Sequence, residues 1–230
     1  MNDSGDTPST SPATVTVRGE ATIETDPEIV VFAVSVQARA RDRREATENL
    51  ARRSAEFTTL VKSFGDAIEK AETSRVSVYP ELRRGRDERV RWYRGAVRST
   101  LTVADFSIAG ELVAKISDLE LCLIDGPWWQ LRPGSAVYHD ARTQAARAAV
   151  SRAAEYAEAV GGRLLTLIEL ADTGLATPSH PPLRYAASRA MPSAAASEET
   201  PVVIDLEPET QVVTATVEAR FTMTQPSSLG

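Results

Sequence analysis

Glu28-Ile29-Val30-Val31-Phe32-Ala33-Val34-Ser35-Val36-Gln37-Ala38-Arg39-Ala40 runs straight into Arg41-Asp42 and a new rhythm. In the first stretch Val30, Phe32, Val34, Val36 and Ala38 point one way, while Ser35, Gln37 and Arg39 point the other. Period two is the mark of a half-buried strand. From Asp42 onward Ala46, Leu50, Phe57, Leu60, Val61 and Phe64 recur at helical spacing. This predicts an amphipathic helix over 42–64 with its charges facing water. Asp42 is placed to cap it, with Glu45 three residues on, and Gly65 to stop it. A strand that gives way so quickly to such a helix calls for a sheet with helices laid on it.

Upstream, Ala13-Thr14-Val15-Thr16-Val17 reads as a strand closed by Gly19, and Asp26-Pro27 as the turn between the two strands. Downstream, Ser74 to Leu82 and Arg89 to Ala104 read as a long hairpin. A short helix follows over about 107–117, capped by Asp105 or Ser107. Leu119 to Leu131 is a strand interrupted at Gly126-Pro127, which suits an edge or a bulge. Residues 135–160 hold ten alanines and end at Gly161-Gly162, predicting one long helix that can lie close to its support. Leu164 to Leu170 and Gln211 to Thr224 read as strands, with a short one possible over Val202 to Leu206. The expected class is α+β: a mainly antiparallel sheet in the order β-β-α-β-β-α-β-α-β-β, helices packed on it, one of them long and Ala-rich. A domain over 13–224 is flanked by tails at 1–12 and 225–230. The Ala/Ser/Pro composition of 174–200 predicts a mobile loop. A break near residue 133 is compatible with this order.

The chain has 230 residues and a mass of 24.9 kDa, with 42% hydrophobic and 25% charged residues. That composition is globular, and the length suffices for a core without staples. A net charge of −6 argues against a generic nucleic-acid binder. No apolar run approaches the ~18 residues of a membrane span. The opening residues carry neither a basic start nor an apolar run, so the expected location is cytoplasmic. A lone Cys122 excludes an internal disulfide framework and a cysteine-rich zinc site.

Chemistry has few candidates. His139-Asp140 are neighbours on a helix and do not face each other, so they read as polar surface rather than as an acid–base pair. His180 lies in the Pro-rich loop, where nothing holds it in catalytic geometry. Cys122 alternates with Leu121 and Leu123 and reads as packing. There is no Gly-x-Ser-x-Gly elbow, no phosphate-binding loop and no dinucleotide fingerprint. No catalytic, cofactor or metal residues are assigned.

Two stretches point to contacts instead. Residues 81–98 carry seven arginines, among them Arg89, Arg91, Arg94 and Arg98, against three acids, leaving +4 locally with Trp92 and Tyr93 interleaved. Such a ribbon can grip phosphates and stack bases. It can also be a solvated tip whose charges blunt an edge, and the nearby acids favour that reading. A third reading is an arm reaching into a neighbouring subunit. Trp128 and Trp129 face opposite sides of a strand unless a bulge turns them, so one indole goes to the core and the other under the loop 174–200 or to another subunit.

Taken in order, these segments resemble the SIMPL domain, also called DUF541. Val15-x-Val17-x-Gly19 with the following Asp and Pro resembles its opening. Ser74–Leu82, with Val78-Tyr79-Pro80, resembles its strand ending in Tyr-Pro. Tyr93, Ala96, Thr102-Val103, Asp105 and Gly110-Glu111-Leu112 resemble its second hairpin strand and short helix. Ala141, Ala145, Ala149, Ala153, Ala157 and Gly161 resemble its alanine-rich helix, and Val217-x-Ala219-x-Phe221 its last strand. Ala21 and Leu165 stand where glycine is common, and Asp26-Pro27 reverses the usual order. The resemblance implies an α+β protein, often oligomeric, loosely linked to stress tolerance and without accepted catalytic residues. The expected function is therefore that of a non-enzymatic protein, a self-associating scaffold or stress-linked assembly, that binds no cofactor. The interface candidates are Trp128, Trp129, Arg89, Arg91, Trp92, Tyr93 and Arg94. Nucleic-acid binding by the hairpin 83–98 is the alternative.

Overall fold

The computed structural model describes residues 12–82, 90–172 and 205–226. The N-terminal tail up to residue 11, the hairpin tip 83–89 with Arg89, the loop 174–200 and the last four residues lie outside the described residues. So do residues 202–204 of the possible short strand; Asp205 and Leu206 are irregular.

The chain is α+β with two antiparallel sheets and three helices among the described residues. The strands are β1 (Ala13–Thr25), β2 (Ile29–Ala40), β3 (Ile68–Leu82), β4 (Val90–Val103), β5 (Cys122–Gln130), β6 (Leu164–Asp172) and β7 (Gln211–Met223). The helices are α1 (Arg43–Ser63), α2 (Ala109–Ser117) and α3 (Ala136–Ala159). Short 3-10 turns at Gly65–Ala67 and Phe106–Ile108 interrupt the order read from the sequence. The strands also divide between two sheets where the sequence suggested one. One is β3-β4-β2-β5, the other β1-β7-β6. Each belongs to its own compact unit.

The first unit holds β2 to β5 with α1 and α2. One face of β2, with Val30, Phe32, Val34 and Val36, packs with Leu101 and Val103 of β4, Phe57 and Val61 of α1, and Leu112 and Ile116 of α2. Burying each such side chain contributes roughly 1.5–3 kcal/mol. The Asp42 carboxylate accepts from the backbone N–H groups of Arg44 (2.7 Å) and Glu45 (3.1 Å), which starts α1 where the period changes. Gly65 has φ +57, a left-handed conformation that lets the chain leave α1 without strain. Arg132 ties three segments: its guanidinium meets Glu69 (2.6 Å) and the Glu28 carbonyl (3.2 Å), and its N–H donates to the Glu28 carboxylate.

β3 begins six residues earlier than the sequence suggested, at Ile68 rather than Ser74. Its first residues, Glu69-Lys70-Ala71-Glu72, show no alternation because this edge strand is exposed on both faces there.

In the second unit, α3 accompanies β1, β6 and β7. Its buried stripe is Ala141, Ala145, Ala149, Ala153 and Ala157, all 0% exposed. β1 runs through Gly19 to Thr25 rather than closing at it. The glycine is there for a close approach. A Cβ on Gly19 would sit 2.1 Å from the Ala145 carbonyl oxygen and 2.7 Å from the Ala149 Cβ. Alanine on the helix and glycine on the strand bring the two backbones together.

Candidate functional site

The residues singled out in the sequence fall on two faces of the first sheet. Because directly opposed residues share a face, the register of β2, β4 and β3 sorts them. Tyr93 lies opposite Ala40 of β2 and Pro80 of β3, on the helix-bearing face. Trp92 and Arg94 lie on the other, outer face. There Arg94 opposes Arg39, and Arg98 opposes both Ser35 and Arg75. Arg91 is exposed near the start of β4 and is not part of the outer-face row.

Trp92 organises one end of the outer face. The Arg39 guanidinium lies over its ring at 4.8 Å and that of Arg41 at 5.5 Å. Such cation–π contacts orient a guanidinium without neutralising it. Glu81 meets Arg39 at 3.1 Å and Arg94 at 3.8 Å. At the other end Arg98 reaches Asp125 at 4.0 Å, and a Lys70–Glu72 pair closes at 2.9 Å. Sequence reasoning found Trp92 and Arg94. It missed Arg39, Arg41 and Arg75, because pairing between β2, β3 and β4 brings them beside the hairpin and no local pattern announces it.

The two adjacent indoles separate as strand geometry requires. Trp129 is 8% exposed, opposite Val30, and meets the Phe106 ring edge-on at 4.9 Å. It is a core residue of its unit. Trp128 is 44% exposed, opposite Val31, on the edge strand β5.

The larger apolar exposure lies in the second unit, where sequence reasoning placed no candidate. Among the described residues β6 is the edge of its sheet, and Leu165, Leu167, Ile168 and Leu170 are 47–60% exposed. Register places Leu167 and Leu170 opposite Phe221 and Ala219 on the helix-bearing face, and Glu169 and Ala171 opposite Arg220 and Glu218 on the other. The hydrophobic run was legible, but its position at an edge was not.

Few titratable groups are perturbed. Burial is the chief cause that pushes the Cys122 thiol above its ordinary value, with Arg53 opposing. The Ser107 hydroxyl and N–H hold the Asp105 carboxyl below the usual range. Hydrogen bonding to Glu69 further favours the charged form of Arg132. Cys122 is half-buried on β5, and His139 and Asp140 are exposed near the start of α3. Among the described residues no group of three or more His, Cys, Asp or Glu could hold a metal ion. No described helix is long and apolar enough to cross a membrane.

A family model described as SIMPL, Protein of unknown function (DUF541), matches residues 15–221. No curated protein matches the chain.

Proposed function

The chain belongs to the SIMPL family, and from that premise we propose that it acts by self-association, as a non-enzymatic scaffold in the cytoplasm. One observation carries this reading: the edge strand β6 presents Leu165, Leu167, Ile168 and Leu170 to solvent. An open, apolar edge offers unpaired backbone groups and hydrophobic side chains together, which is the combination that strands use to pair with another chain. Four large apolar side chains exposed within six residues of one strand are more than the single surface leucines that need no explanation. Trp128 on β5 is a second, smaller contact of the same kind. The link to stress tolerance comes with the family resemblance.

Sedimentation velocity across a wide concentration range tests the reading. Wild-type chain should exceed 24.9 kDa, and its contact should bury at least ~1,000 Å² in total. Ile168→Lys with Leu165→Lys should return it to the monomer mass with the fold intact by circular dichroism. A wild-type chain that stays monomeric at every concentration sinks the scaffold. Cell fractionation checks the compartment.

A second reading, nucleic-acid binding by the hairpin 83–98, is favoured by the arginines gathered around Trp92.

A further inference from the structure

We propose that the outer face of the first sheet binds single-stranded nucleic acid, with Arg39, Arg41, Arg75, Arg94 and Arg98 taking its phosphates. This rests on the second reading above, but it moves the contact from the hairpin 83–98 by itself to the sheet face, where Arg39, Arg41 and Arg75 join Arg94 and Arg98.

The first argument is register. Arg39 stands directly across from Arg94, and Arg75 directly across from Arg98. Like charges opposed across strands are unfavourable, yet this face carries two such pairs. The two rows lie four steps apart along β4, roughly 13 Å at ~3.3 Å per residue. Glu81 serves two of these arginines and Asp125 reaches one. Among the described residues no acid pairs with Arg41 or Arg75. A chain with net charge −6 thus concentrates positive charge on one face, where an anion would relieve the repulsion.

The second argument is shape and chemistry. Between the rows lie Ala96, Gln37 and Ser77, opposed in register and half-buried. They make a floor that carries no charge. Exposed Tyr79 shares the row of Arg39 and Arg94. An open sheet face bearing aromatics and arginines suits unstacked bases, whose faces lie on side-chain planes while phosphates meet guanidiniums. A duplex fits poorly, because its major groove admits a helix or a two-stranded ribbon rather than the face of a four-stranded sheet.

The test uses the full chain and fluorescence anisotropy of a labelled 20-mer single strand at about 50 mM salt, then at rising salt. Wild type should bind, and binding should weaken steeply with salt. Arg41→Ser with Arg75→Ser should weaken it at least tenfold and reduce the salt slope by about 1.4, two phosphate contacts at ~0.7 each. The melting temperature and sedimentation of this variant should stay as in wild type. A tip variant, Arg83→Ser with Arg84→Ser and Arg86→Ser, should keep most of the affinity. If the tip variant loses binding and the face variant keeps it, the tip carries the contact and this proposal falls. If no strand binds at low salt, both fall. Equal affinity for duplex of the same sequence, or for heparin, also overturns the proposal.

Discussion

Gly19 shows how much one missing methyl group decides. Its Cβ position lies 2.1 Å from a helix carbonyl, and backbone cannot step aside as a side-chain tip can. Gly19→Ala should therefore destabilise at the upper end of the ~1–3 kcal/mol typical of overpacking. Ala149→Leu, in the same contact, should cost a similar amount. Urea unfolding measures both, and an unchanged midpoint would place α3 elsewhere. The tryptophans make a matched pair at this scale. Trp129→Ala should cost roughly 3–5 kcal/mol as a core truncation, whereas Trp128→Ala should change stability little and affect assembly instead. Titration gives one signed prediction. The Asp105 carboxylate is held below its ordinary pKa by Ser107. Its cap contributes stability above the unfolded value, ~3.9, and loses it as the pH falls through the lower folded value. Melting curves from pH 6 to pH 2 should thus be flatter at the acid end for Asp105→Asn than for wild type.

Elements differ in how openly the sequence announces them. α1 was legible because it has a buried and a wet face, and β2 because one face is apolar and buried throughout while Ser35, Gln37 and Arg39 on the other are polar and only partly covered. Replacing the cap Asp42 by alanine should cost about 1 kcal/mol, read from the thermal midpoint. α3 was legible from composition, and its alanine stripe at i+4 spacing predicted which residues vanish from solvent. The first turn of residues in β3 was not legible. An edge strand exposed on both faces has no reason to alternate, so Glu69 to Glu72 carry no period. The end of β1 was misjudged for a different reason. A glycine inside a strand looks like punctuation unless the helix that passes over it is known. Candidate residues followed the same rule. Trp92 and Arg94 stood out within one segment, but Arg39, Arg41 and Arg75 join them only through strand register.

At the scale of the whole molecule, the two units differ in how the chain supplies them. The first takes its four strands and two helices from one continuous run, β2 to β5. A fragment of residues 26–133 should fold alone with a single cooperative melt, since nearly all of its hydrophobic cluster lies within that run. Gradual unfolding of the fragment without a transition would show that it leans on the rest of the chain. The second unit has no such fragment, because its sheet sets β1 beside β7.

That adjacency has a consequence for birth on the ribosome. Gln211 follows Thr25 by 186 residues. At ~5–20 residues per second, β1 waits roughly 10–40 s for its neighbour. The continuous unit has time to fold in the interval, while β1 stays unzipped and the alanine stripe of α3 emerges into solvent without the finished sheet. Each newborn copy therefore passes through a period when its earliest strand is open to chaperones, or to the same strand of a sister chain on the next ribosome.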